Sequence, residues 1–164
     1  MKRVASLLTA LALLSIASLV LVSATSAGTA ASNQRVVIEG KATVGTGSAR
    51  FALTPLGSGS LKSDSGTMVE TVTQKHVVRS GQAVIIFTVT STWTGKLGTL
   101  VLRQRIDDVA AGSAYRVGTG DWSLLTASGT NQYAGLTGSG RSAYVLAPHG
   151  CCVLFRLEGF VAKP

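Results

Sequence analysis

The sequence predicts an all-β protein, and three observations carry the prediction. Beyond residue 34, β-branched residues and glycine dominate a chain that holds 19 glycines in 164 residues. No stretch of ten or more residues repeats apolar positions at the three-and-four spacing of an amphipathic helix. Instead, short alternating or continuous apolar runs recur, separated by turn residues at hairpin spacing.

Taken in order, residues 35–44 form the first run, closed by the turn Gly45-Thr46-Gly47. Residues 49–54 follow and end at Pro55 and the loose stretch 57–66. Residues 67–79 alternate, with Met68, Glu70, Val72 and Gln74 on one face and Val69, Thr71 and Thr73 on the other. Ser80-Gly81 turns the chain into residues 82–93, the strongest strand. Ala83, Ile85, Phe87 and Val89 share one of its faces, while Val84, Ile86 and Thr88 make the other nearly as apolar. Such a strand reads as buried on both sides. Thr94-Gly95-Lys96 leads into residues 97–107, and further strands are expected over 114–117, 121–126, 132–136, 142–146 and 152–161. The glycine-rich pieces 57–66 and 127–140 read as loops. Eight to ten short strands at this spacing suit a sandwich or a barrel. Closure removes the sheet edges that invite aggregation, and scattered glycines suit sharp bends.

The first 27 residues read as a signal peptide. Lys2 and Arg3 precede an uncharged apolar run over 7–22, and small residues follow over 23–31. Cleavage after Ala27 leaves Thr25 and Ala27 at the small-residue positions, with Ala24 and Ala31 as alternative sites. Residues 28–34 are a flexible lead-in, and residues 35–164 a single domain. The expected location is therefore extracellular. The alternative, an uncleaved apolar anchor, is the one membrane contact the sequence suggests. The chain carries 15 Lys and Arg against 7 Asp and Glu, a net charge of +8 that falls to +6 when Lys2 and Arg3 leave with the leader. The basic residues are spread from Arg35 to Lys163 without a run, which reads as solubilising surface charge. Nucleic-acid binding is set aside, because no strand interleaves aromatic and basic residues.

The two cysteines, Cys151 and Cys152, are adjacent. Their Cα atoms sit ~3.8 Å apart, below the ~4.4–6.8 Å of an ordinary disulfide. Packing must then hold the domain together. One thiol is expected to be buried and the other available for an intermolecular link, with a strained vicinal bridge as the alternative.

A family resemblance enters with the segment Gly118-Thr119-Gly120-Asp121-Trp122, then Gly129-Thr130, Tyr133-Ala134-Gly135-Leu136 and Gly138-Ser139-Gly140. This rhythm, with the preceding Trp93-Thr94-Gly95-Lys96 hairpin, resembles the allene oxide cyclase-like and dirigent-like proteins, including secreted bacterial ones, over residues 93–160. The stretch Ser128-Gly129-Thr130-Asn131-Gln132 departs from the tighter Gly-Thr-Gly turn of that pattern. The resemblance implies a small antiparallel closed barrel of about eight strands, often assembled as a homo-oligomer, with Trp122 and Tyr133 as inward plugs on neighbouring strands. Fold does not bring function with it, and no catalytic residue of those enzymes maps onto this chain.

Candidate chemistry is sparse. The histidines are His76 and His149, and no Gly-x-Ser-x-Gly elbow is present to build a hydrolase. His149, Cys151 and Cys152 offer nitrogen and sulfur ligands, but no second cluster completes a metal site, and no cofactor is expected. Asp107 and Asp108, being neighbours, do not face each other as a catalytic pair would and read as loop-start caps. Arg103 and Arg105 share one face of an apolar strand, as do Arg156 and Glu158 on the last strand. If those faces line the barrel, they form a polar pocket for a carboxylate or similar anion; if they face outward, they are solvated. Trp122 and Tyr133 either stack on a ligand or pack the core.

Two functional readings follow. The first is a secreted, non-catalytic barrel that binds a small apolar or anionic molecule or a surface component, or associates with itself. The second is a barrel enzyme of cyclase or isomerase type acting on an apolar substrate, with Arg103, Arg105 and Glu158 as its polar groups. A cavity of ~300 Å³ or more with convergent charges favours ligand chemistry, and a filled interior favours a structural role.

Overall fold

The period-two alternation resolves into eight strands: β1 (Gln34–Thr43), β2 (Ala49–Leu56), β3 (Asp64–Arg79), β4 (Gln82–Gly95), β5 (Gly98–Ala111), β6 (Tyr115–Leu124), β7 (Thr137–Leu146) and β8 (Cys152–Ala162). The structure, a computed structural model, describes residues 33–43, 49–112, 114–147 and 152–163. By its contacts the chain divides into Met1–Ala30 and Ala31–Pro164, and every described residue belongs to the second unit. The predicted signal peptide and residues 28–32 of the lead-in lie outside the described residues.

Each strand pairs antiparallel with its sequence neighbours, and β1 pairs with β8 from Gln34↔Val161 to Thr43↔Cys152. The result is a closed antiparallel barrel, as predicted. No α-helix occurs among the described residues. Gln34, read as part of the flexible lead-in, instead opens β1. It is buried, and its Oε1 accepts a hydrogen bond from the Leu61 N–H at 3.0 Å.

Several boundaries differ from expectation: β3 begins at Asp64 and β7 at Thr137, inside stretches expected as loops, and three further differences have local reasons. Residues 114–117 and 121–126 were expected as two strands but form the single β6. Gly118 and Gly120 are inward positions on that strand, opposite Tyr144 and Ser142, and not a turn. Residues 132–136 are not a strand. The chain there makes 3-10 turns at Thr126–Ser128 and Asn131–Tyr133, with Asn131 and Gly135 at positive φ, a conformation that interrupts a ladder. Finally, β5 runs on to Ala111, so Asp107 and Asp108 lie inside a strand on opposite faces and are not loop caps.

The end of the barrel reached by the β2–β3, β4–β5 and β6–β7 connections is filled. Trp93, wholly buried, stacks tilted against Phe51 with ring centroids 4.8 Å apart, and lies 6.0 Å from Phe155. Leu102, Leu157, Ile38 and Trp122 complete this layer. The loop between β6 and β7 lies across the end, hydrogen-bonded through Thr130 N–H to Thr99 O on β5 at 2.9 Å and through Gln132 N–H to Leu97 O in the β4–β5 connection at 3.0 Å. The approach is close enough to require glycine at 98. Its φ is 135°, and a Cβ there would sit 2.3 Å from the Thr130 carbonyl oxygen. Beneath the loop, Tyr133 donates to Asp64 Oδ2 at 2.7 Å, and the Asp64 carboxylate also accepts from the N–H groups of Ser65, Lys96 and Leu97. One carboxylate thus ties three connections together.

Candidate functional site

The opposite end is hollow. A cavity of about 220 Å³ occupies the barrel interior there, walled by inward residues of β1, β3, β4, β5, β7 and β8. Its volume exceeds the ~150 Å³ that suffices for benzene and falls short of the ~300 Å³ of drug-sized pockets. Space remains because two rings lie flat on the wall. A Cβ at Gly40 would sit 2.1 Å from Phe155 Cζ, and one at Gly118 would sit 2.2 Å from Tyr144 Cε1. Each ring takes the place of a missing side chain and does not project into the centre. Tyr144 is pinned there by its hydroxyl, which donates to Asp108. Asp108, 1% exposed, is also ion-paired with Arg116, so this buried charge is compensated from the next strand.

The cavity wall is apolar except for a few groups. Glu70 on β3, Gln104 on β5 and Ser142 on β7 face it together with Phe87, Val89 and Ile106. Ser91 donates to Glu70 Oε1 at 3.1 Å. β2 pairs with β3 only as far as Ala49↔Met68. Glu70, just past that point, keeps solvent contact while its carboxyl leans on apolar neighbours. Loss of solvation raises its pKa above the ordinary 4.5, against the Ser91 hydrogen bond, which lowers it. Tyr144 is pushed the same way by burial and by its bond to Asp108. At the filled end, burial raises the Asp64 pKa, but the Tyr133 hydroxyl and three backbone N–H groups outweigh it and hold the carboxyl below 3.8.

The residues singled out from sequence do not gather here. Arg103 and Arg105 point outward from β5 and are exposed, because the inward face of that strand carries Leu100, Leu102, Gln104 and Ile106. Arg156 and Glu158 also face outward, where they pair with each other, with Glu39 and with Arg35. They border an open trough of about 760 Å³ on the outer wall, in which Arg141 is in turn paired with Asp121. Every guanidinium of the trough already has a carboxylate, which leaves no free cation to grip an anion. Trp122 and Tyr133 are buried at 2% and 1% exposure. Trp122 donates from Nε1 to the Glu158 carbonyl at 3.1 Å. Both are inward plugs, but Tyr133 sits on a 3-10 turn and not on a strand.

His149 and Cys151 lie outside the described residues, and Cys152 is a half-buried free thiol at the start of β8. Among the described residues no three His, Cys, Asp or Glu side chains gather to hold a metal ion. Glu70, Gln104 and Ser142 were not chosen from sequence, yet parity carried the signal. Gln104 alternates with Leu102 and Ile106, and Glu70 with Met68 and Val72. Comparison with protein-family models, with curated proteins and with solved structures finds no match to this chain.

Proposed function

We propose that this chain is an exported, non-catalytic barrel of the allene oxide cyclase-like and dirigent-like kind that binds a small, mostly apolar molecule in its interior. The observation that carries the reading is the cavity. One half of a closed barrel is packed tight, while the other holds about 220 Å³ among apolar walls. The volume suits a molecule somewhat larger than benzene. The enzyme reading counted on Arg103, Arg105 and Glu158 inside the pocket, and these face solvent. Export rests on the basic start, apolar run and small residues of the first 31 positions.

Self-association is a second reading with its own support. Beyond Met68, β3 has no β2 neighbour among the described residues, and Val69 and Val78 on this arm are 66% and 73% exposed. Exposed valines on a strand arm suit contact with a second copy of the chain. Native mass spectrometry of the secreted protein tests both readings. The expected result is a mass lacking the first 27 residues, with a bound species of small mass released on activation. A chain retaining Met1 overturns the export reading. A protein that never carries or takes up a small molecule overturns the binding one. The subunit count decides self-association.

A further inference from the structure

Two polar side chains in the cavity wall lack partners. Ser142 is 5% exposed and its Oγ makes no hydrogen bond. Gln104 is 6% exposed, and its amide finds no partner among the described residues. Buried polar groups are almost always paired, and two unpaired ones facing one hollow, from strands with only β6 between them, mark the position of a missing partner. An amide and a hydroxyl each offer a donor and an acceptor. Among the described residues the cavity wall carries no Lys, Arg or His, and Arg116, nearby on β6, is committed to Asp108. An anion entering here would lose its water, gain no cation and meet Glu70. A pure hydrocarbon would leave Gln104 and Ser142 unsatisfied.

We propose that the cavity is a site for a small uncharged alcohol, its apolar body against Phe87, Val89 and Phe155 and its hydroxyl held by Gln104 and Ser142. The proposal rests on the reading of the barrel as a binding protein and goes further by naming the ligand's chemistry. The raised pKa of Glu70 agrees with it, since a carboxyl that protonates readily favours neutral company.

The test uses the intact protein and four probes of one size: cyclohexanol, methylcyclohexane, cyclohexanecarboxylate and cyclohexylamine, titrated by calorimetry and by NMR shifts of cavity residues. Cyclohexanol is expected to bind about tenfold or more tighter than each of the others. In Gln104→Leu and Ser142→Ala that preference shrinks, and in the double variant the alcohol and the hydrocarbon bind alike. Ser142→Ala also leaves the empty protein as stable as before or more so, because it removes an unpaired buried hydroxyl; a marked loss of stability would show that Ser142 has a partner and overturn the proposal. Equal binding of cyclohexanol and methylcyclohexane by the unmodified protein sinks the proposal while leaving the cavity reading intact. Tightest binding of the carboxylate or the amine does the same. No binding of any probe removes both.

Discussion

At the filled end of the barrel, Trp93, Phe51, Leu102 and Trp122 meet in the centre, and Asp64 gathers four hydrogen bonds, from its neighbour Ser65 and from the β4–β5 and β6–β7 connections. At the hollow end, the same eight strands carry rings that lie on the wall over glycines, and Gln104 and Ser142 keep unused hydrogen-bonding groups. The difference teaches how one sheet can be scaffold and container at once. The Asp64 carboxylate at the filled end is saturated and adds rigidity, although Trp93 Nε1 there makes no hydrogen bond, whereas Gln104 and Ser142 face an open cavity.

The sharpest way to break this contrast is to truncate each end. Trp93→Ala is expected to cost about 3–5 kcal/mol in denaturant unfolding, as large-to-small changes do in a dense core. Phe87→Ala, on the half-buried cavity wall, should cost less than half of that. Equal losses would mean the two ends are packed alike. Next comes Asp64→Asn, which sets an amide against backbone and tyrosine donors and should cost about 1–3 kcal/mol.

Acid sharpens the same point, with opposite signs at the two ends. The Asp64 pKa is lowered in the folded protein, so its contribution to stability is full above the ordinary 3.8 and fades as pH falls through the lower folded value. The Glu70 pKa is raised, so its contribution is full below 4.5 and is lost as pH rises through the folded value. Thermal melts across pH 2–8 should show the first dependence vanish in Asp64→Asn and the second in Glu70→Gln. A Glu70→Gln profile identical to that of the unmodified protein would place that carboxyl in ordinary solvent.

Gly118→Ala should lift the Tyr144 ring off the wall, costing about 1–3 kcal/mol as overpacking does and abolishing ligand uptake together with the cavity. The smallest effect is expected from Arg103→Ala, within about 0.5 kcal/mol and without influence on binding, as for other exposed side chains. A loss of binding in that variant would return the outer face to consideration.

Much of this was legible in the sequence. Alternation located part of every strand of the barrel, since a half-buried ladder writes itself as period two, but it split β6 in two and missed the start of β7. What escaped was inside against outside. Arg103 and Gln104 are both polar residues on an apolar strand, and only the company of Leu102 and Ile106 assigns Gln104 to the interior. Gly118 and Gly120 look like a turn because glycine serves bends and crowded interiors alike, and the ring that needs Gly118 arrives from β7. Asp108 looks like a loop-start cap until Arg116 and Tyr144 fold against it. The run 132–136 failed because local left-handed backbone at Asn131 and Gly135 overrode its strand-like composition.

The seam between β1 and β8 has a consequence for how the chain reaches this state. Each other pair of neighbours is joined by a short connection, but Gln34 meets Val161 across nearly the full described length. Contacts so distant in sequence form late and slowly. Until β8 has emerged, β1 offers a bare edge and the barrel is an unrolled ribbon, its future interior facing water. The cavity is thus the last feature of the fold to close, and a chain cut short before Cys152 is expected to lack it.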